Sequence, residues 1–280
     1  MKNIFVAGAG TMGLGIAEVF AAKGFFVTCY DLTDEILQRA SERLEKSLSK
    51  RVGKGKLSEE EKRQLLANLK FTSSIQNAKD AEFIIEAVVE NLMAKQELFK
   101  RMALVCGSNT IFATNTSSKS VTEIAAAVPD SSKFIGMHFF NPPGVMQLIE
   151  IIRGMDTSDE TFKAVFDLAE RLGKTPIEVR EAPGFVVNRL LIPMINEAIA
   201  LVAEGVASEA SIDTAMRLGA NHPMGPLALG DLIGLDVVLA IMDTLFEETK
   251  DPKFRAHPHL RKMVRAGRLG RKTGKGFFQY

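Results

Sequence analysis

The sequence predicts an α/β protein: a doubly wound, mainly parallel sheet with a helical hairpin inserted after its second strand, followed by an all-α C-terminal domain. Three observations predict it. Short apolar runs at Ile4–Ala7, Phe83–Val89 and Thr110–Thr114 recur between stretches of helical periodicity, the alternation that builds parallel sheets. The first run leads through a glycine-rich turn directly into a helical pattern. Beyond Pro183 strand patterns cease and helical spacing alone continues, so the expected domains are residues 1–183 and 184–280.

The turn is Gly8-Ala9-Gly10-Thr11-Met12-Gly13. Gly8 permits a tight turn, Gly10 lets backbone approach a pyrophosphate, and Gly13 lets the following helix pack closely. N–H groups at the helix start, around Thr11 and Met12, then face the phosphates. A glycine turn alone is a weak signal. The test is an acid at the end of a second strand, and Phe26-Val27-Thr28-Cys29-Tyr30-Asp31 supplies Asp31. A carboxylate there accepts from a ribose 2′-hydroxyl and repels a 2′-phosphate. The neighbours Leu32 and Thr33 offer no cation, so NAD is expected in preference to NADP in a Rossmann-type site.

Composition narrows the class. Hydrophobic residues at 46% and charged residues at 25% are globular usage, and a formal net charge of +1 gives no field to draw nucleic acid or an anionic membrane. No apolar run reaches the ~20 residues of a membrane span. Cys29 and Cys106 have no metal-ligand or redox spacing, so they read as reduced thiols of a cytoplasmic protein, with no metal site expected.

From Asp34 to about Arg51, apolar Ile36, Leu37, Ala40, Leu44 and Leu48 recur at helical spacing, and Val52-Gly53-Lys54-Gly55-Lys56 interrupts them. A capping box at Ser58-Glu59-Glu60-Glu61 starts the second hairpin helix. Lys46, Lys50, Arg51, Lys54 and Lys56 gather at the hairpin tip, either as a solvated face or as a site for a phosphorylated ligand. Phe83–Val89 reads as a strand, and Glu90-Asn91-Leu92-Met93-Ala94-Lys95 opens a helix running to about Val105. Thr110–Thr114 is the next strand and ends in Asn115-Thr116-Ser117-Ser118. Ligands of open parallel sheets lie beyond the carboxyl ends of the strands, where Asp31, Glu90, Asn115 and Ser117 stand.

Two strand patterns then flank Pro142-Pro143-Gly144, with His138 and Glu150 each six residues from Gly144. An antiparallel return about that point sets the two side chains opposite one another. Burying the Glu150 charge within an apolar strand is costly without a partner, and His138 supplies one, so the pair reads as a catalytic histidine and its carboxylate. After a last strand at Pro176–Arg180, a helix is expected from Phe185 to Glu204. Further helical spacing appears around Ile212–Met216 and Leu232–Phe246. Asn188, in the first turn of that boundary helix, fits a backbone-bonding role and a site role equally. His222, His257 and His259 lack partners at telling spacing and read as structural.

Taken together, these blocks resemble the L-3-hydroxyacyl-CoA dehydrogenase family, including its bacterial 3-hydroxybutyryl-CoA dehydrogenases of butyrate metabolism. The resemblance rests on the glycine turn, Asn115-Thr116-Ser117-Ser118, Gly136-Met137-His138-Phe139-Phe140-Asn141-Pro142 and Pro183-Gly184-Phe185-Val186-Val187-Asn188-Arg189. It is completed by Ala220-Asn221-His222-Pro223-Met224-Gly225-Pro226 and Gly270-Arg271-Lys272-Thr273-Gly274-Lys275-Gly276-Phe277, and so covers essentially the whole chain. It implies His138 as catalytic base with Glu150 as partner, Ser117 and Asn188 as holders of substrate oxygens, and Asp31, Glu90, Lys95, Asn141 and Lys272 as NAD contacts. It further implies Lys50 and Lys54 as CoA contacts, an acyl-CoA thioester substrate, and a homodimer built through the C-terminal domain. Two other functions are weighed. A sugar-acid dehydrogenase of the same fold would need no basic hairpin, and a non-enzymatic nucleotide-binding protein would tolerate loss of His138, Glu150 or Ser117, all of which are present.

Overall fold

A computed structural model describes all 280 residues, which divide into two compact units, Met1–Ala182 and Pro183–Tyr280. The first opens with strand β1 (Asn3–Ala7), helix α1 (Thr11–Ala22) and strand β2 (Phe26–Tyr30). Helices α2 (Asp34–Gly53) and α3 (Glu59–Ala67) form the hairpin. Leu37, Ala40, Leu44 and Leu48 lie buried along one face of α2, as their spacing requires. The capping box of α3 is complete: Ser58 Oγ accepts from Glu61 N–H at 3.1 Å, and the Glu61 carboxylate accepts from Ser58 N–H at 2.7 Å. Such a cap is worth about 0.5–2 kcal/mol.

Strands β3 (Leu69–Thr72), β4 (Phe83–Glu86) and β5 (Ile111–Thr114) follow, with helix α4 (Leu92–Ala103) between the last two. A short helix α5 (Val121–Ala125) precedes the hairpin of β6 (Phe134–Phe139) and β7 (Leu148–Arg153). Helix α6 (Asp159–Arg171) then leads to β8 (Thr175–Arg180). The sheet has eight strands in the order β3-β2-β1-β4-β5-β6-β7-β8. Pairing is parallel except between β6 and β7, so β7 and β8 run against the rest. The core of this unit joins Ile4, Val6, Phe83 and Ile85 of the sheet to Ile16 and Phe20 of α1 and to Val165 and Leu168 of α6.

The second unit is helical: α7 (Val187–Ala203), α8 (Glu209–Gly219), α9 (Pro226–Ile233), α10 (Leu235–Thr249) and α11 (Pro258–Arg265). Its core gathers Ile192, Ile195 and Ile199 of α7 with Leu227, Val238, Met242 and Leu245. No helix is long and apolar enough to cross a membrane.

Three differences from the sequence reading have a local reason, and the other element ends shift by only one or two residues. The strand expected over Phe83–Val89 stops at Glu86, because the next free N–H, that of Val88, is taken at 2.7 Å by the Glu86 side chain. The helix expected from Phe185 starts at Val187. Gly184 and Phe185 both adopt left-handed backbone, with φ of 75° and 51°, and turn the chain before the first helical residue. The pattern over Leu232–Phe246 is two helices broken at Gly234, whose φ of 104° suits glycine alone. Strand β3 and helix α6 carried no expectation; in β3 only Leu69 is buried, so its apolar signal is faint.

Candidate active site

The glycine turn is built as backbone geometry demands. Gly8 has φ of 111°, and a Cβ there would lie 2.6 Å from the Ala87 carbonyl oxygen. A Cβ on Gly13 would lie 1.8 Å from the Gly8 carbonyl oxygen, so the start of α1 can sit against the turn only if residue 13 is glycine. Gly10 is different: a Cβ there would meet nothing within 4 Å, and no side chain caps α1 at this position. The N-terminus of α1, with Thr11 and Met12 in its first turn, therefore opens onto space with no side chain in the way, which fits a dinucleotide pyrophosphate.

Asp31, directly after β2, braces the same turn. Its Oδ2 accepts from Ala9 N–H at 2.7 Å and its Oδ1 from Leu32 N–H at 2.8 Å. A second charged group arrives unannounced by the sequence: Arg43 of α2 donates from Nη2 to the Ala9 carbonyl at 3.0 Å. Carboxylate and guanidinium thus bracket a single residue of the turn.

Below the carboxyl ends of β4 and β5 lies a buried charge cluster. Lys95 Nζ sits 2.6 Å from Glu86 Oε1 and 3.0 Å from Glu90 Oε2, and the Lys95 and Glu86 side chains are 1% and 0% exposed. Glu86 also accepts from Thr114 Oγ1 at 2.8 Å. Burial pushes the Glu86 carboxyl above the usual carboxylate range, against the pull of Lys95 and its hydrogen bonds. At Glu90 burial also pushes upward, but the Lys95 charge and the Thr116 hydroxyl outweigh it and hold this carboxyl below the usual range. Glu90 Oε1 gathers the loop after β5, accepting from Thr116 Oγ1, from Ser117 N–H at 3.0 Å and from Ser118 N–H at 3.2 Å. Glu86 lies outside the residues singled out in the sequence, although an acid closing the apolar run Phe83-Ile84-Ile85 is the same kind of signal that Glu150 gives.

The β6–β7 register pairs His138 with Glu150, as their equal offset from Gly144 requires. His138 Nδ1 lies 2.7 Å from Glu150 Oε2, and the residues are 6% and 0% exposed. A ring nitrogen held by a carboxylate carries the proton, which leaves Nε2 as the lone-pair nitrogen of the neutral ring. The Phe140 ring leans on the imidazole with centroids 4.6 Å apart. Asn115 fixes the adjacent strand: its Oδ1 accepts from Phe139 N–H at 2.8 Å. Asn141 is exposed in the reversal that follows. Lys174 holds that reversal, donating to the Pro143 and Met146 carbonyls at 2.7 Å each, a brace with no local sequence signal. Pro143 itself packs on α1, where a Cβ on Gly15 would come within 3.0 Å of its ring.

Lys50 lies in the last turn of α2 and Lys54 is its C-cap; both are exposed and stand four residues apart on one face. Arg51, between them in sequence, is committed to Glu18 of α1. In the second unit Asn188 is the second residue of α7. Lys272 pairs with Asp236, 2.6 Å from its Oδ2, on a tail fastened by the buried Asp231. That carboxylate accepts from Phe277 N–H at 3.0 Å and from Phe278 N–H at 2.9 Å. His257 Nδ1 accepts from His259 N–H at 3.2 Å as the cap of α11. No group of three His, Cys, Asp or Glu side chains is placed to hold a metal ion.

Residues 3–182 match the 3-hydroxyacyl-CoA dehydrogenase, NAD binding domain, and residues 184–280 match the 3-hydroxyacyl-CoA dehydrogenase, C-terminal domain. A 3-hydroxybutyryl-CoA dehydrogenase of Clostridioides difficile is 52% identical over 278 residues, 99% of each chain. The human mitochondrial hydroxyacyl-coenzyme A dehydrogenase is 43% identical over 100% of this chain and 91% of its own. The crystal structure of (S)-3-hydroxybutyryl-CoA dehydrogenase from Ralstonia eutropha superposes with a TM-score of 0.97 at 48% identity, covering 100% of this chain and 99% of that one. The chain belongs to the 3-hydroxyacyl-CoA dehydrogenase family, whose N-terminal domain binds NAD.

Proposed function

We propose that this chain interconverts an L-3-hydroxyacyl-CoA and the corresponding 3-ketoacyl-CoA with NAD(H), with 3-hydroxybutyryl-CoA and acetoacetyl-CoA as the first pair to test. The observation that carries the reading is the buried His138–Glu150 pair at 2.7 Å, on the strand next to the one that leads into the Ser117 loop. When bound, NAD supplies the hydride acceptor or donor. Gly8, Gly10 and Gly13 with the start of α1 would hold its pyrophosphate and Asp31 its ribose. In oxidation, His138 Nε2 takes the proton of the 3-hydroxyl as the C3 hydride departs; in reduction it returns that proton to the ketone oxygen. Glu150 keeps the ring in the required tautomer and stabilises its protonated form. Ser117 donates toward a substrate oxygen that gains negative charge, from a loop held by Glu90.

The family resemblance adds Asn188 as a second substrate contact, Asn141 and Lys272 as NAD contacts, and Lys50 and Lys54 as partners of the CoA phosphates. Lys95 and Glu90 enter the same reading, Lys95 through its partner carboxylates because its own ammonium is enclosed. The same resemblance adds a homodimer through the second unit. The free thiols of Cys29 and Cys106 support a cytoplasmic setting. The test is the initial rate of NADH oxidation with acetoacetyl-CoA beside a longer 3-ketoacyl-CoA. Turnover of either supports the reading, and NADH binding without turnover of any 3-ketoacyl-CoA refutes it.

A further inference from the structure

We propose that Arg43 is a specificity-determining residue of the nucleotide site, a cation positioned for a ribose 2′-phosphate whose attraction Asp31 outweighs. The inference rests on the NAD reading of the glycine turn and deepens it. Near the turn in sequence, Asp31 is followed by uncharged Leu32 and Thr33, so discrimination looks as if it depended on one carboxylate. The fold changes this. Arg43 comes from the third turn of α2 and places Nη2 3.0 Å from the Ala9 carbonyl, while Asp31 Oδ2 holds Ala9 N–H at 2.7 Å. Both charges therefore stand against one residue of the turn, at the end of β2 where the ribose is read.

The Ala9 carbonyl uses one of the five N–H donors of the guanidinium, and the remainder are arranged as a fork that suits phosphate oxygens. Asp31 opposes a 2′-phosphate by charge. Discrimination is then a balance between a carboxylate that rejects the phosphate and a guanidinium that would accept it. Weakening the first should reveal the second without any new residue.

Isothermal titration of NADH and NADPH into the full chain tests this through binding, independently of turnover. Asp31→Ser should bind NADPH more tightly than the unmutated chain. Adding Arg43→Ala should weaken NADPH binding about 10–100-fold beyond any change in NADH binding, the loss of a charge-assisted contact. Arg43→Ala in the unmutated background, an exposed helical position where alanine is well tolerated, should show the same selective loss for NADPH without disturbing the brace on Ala9 N–H. NADPH affinities within about twofold between each Arg43→Ala protein and its own background, with NADH still bound, overturn the assignment of Arg43 alone. Failure of the unmutated chain to bind NADH overturns the assignment together with the NAD reading beneath it.

Discussion

Replacing Lys95 by methionine should be among the most destabilising single changes in the first unit. The ammonium lies 2.6 Å from Glu86 and 3.0 Å from Glu90, and Glu86 has no exposed surface. Methionine keeps most of the stem but leaves the Glu86 charge with only the Val88 N–H and Thr114 hydroxyl as partners. Removing one member of a buried pair costs about 3–5 kcal/mol, a large part of the about 5–15 kcal/mol that separates folded from unfolded chains. Urea unfolding should show a lower midpoint at an unchanged slope. Glu86→Gln with Lys95→Met removes both charges, and the double variant should recover most of the loss. The pH dependence has a definite sign. Burial raises the Glu86 carboxyl above its unfolded value, so its contribution favours folding below the unfolded value and is lost as pH rises through the folded one. Taking away Lys95 removes a lowering influence and widens that shift. The deficit of Lys95→Met relative to the parent should therefore grow toward neutral and alkaline pH and shrink on acidification. A deficit below about 1 kcal/mol at neutral pH, or one that grows on acidification, refutes the assignment of Lys95 as the neutralising partner.

His138→Gln should lower kcat about 10²–10⁴-fold with little change in NADH affinity, and Glu150→Gln should also lower kcat because the ring loses its anionic support. Oxidation requires neutral His138 and ketone reduction requires it protonated, so stopped assays in the two directions should give opposed pH profiles; parallel profiles would refute His138 as the proton carrier. Lys50→Ala and Lys54→Ala should each raise KM for the acyl-CoA by a factor equivalent to about 1–3 kcal/mol while kcat stays level. KM should also climb more steeply with salt for acetoacetyl-CoA than for a pantetheine thioester that lacks the phosphates, and unchanged kinetics in both variants would make this hairpin a solvated face.

What the sequence made legible were features in which function follows from short-range order. Gly8, Gly10 and Gly13 stand at spacings that suit a strand-turn-helix, and Asp31, closing the next strand, makes that weak signal specific. The His138–Glu150 register was legible because a reversal with one centre constrains both strands by counting. Ser58 announced α3 through a local capping box. Elements and partners of weak local signal were not legible. Strand β3 buries little, whereas α6 carries a readable signal in the Ser158 cap and the buried stripe of Thr161, Val165, Leu168 and Ala169. Arg43, Glu86 and Lys174 act on the turn, the cluster and the reversal through contacts whose partners are distant in sequence or on another element, and nothing beside them in the chain marks those partners.

The same structural device recurs along the functional edge of the sheet. Asp31, after β2, accepts a backbone N–H from the turn after β1; Glu90, after β4, accepts from the loop after β5; Asn115, after β5, accepts from the end of β6 beside His138. Each polar side chain at the carboxyl end of one strand thus fixes the backbone beyond its neighbour. Parallel strands bring these ends to one edge, where their loops have lost ladder partners and their N–H groups need acceptors. Residues given by the resemblance as ligand contacts consequently have a second role in setting loop position, as Glu90 does for Ser117. A substitution at Asp31, Glu90 or Asn115 should then change two quantities together, ligand affinity and the local stability of the neighbouring loop. A residue proposed as a ligand contact alone, such as Lys50, should change only the first. Hydrogen exchange of the Ala9, Ser117 and Phe139 amides, read beside nucleotide affinity, separates the two roles residue by residue.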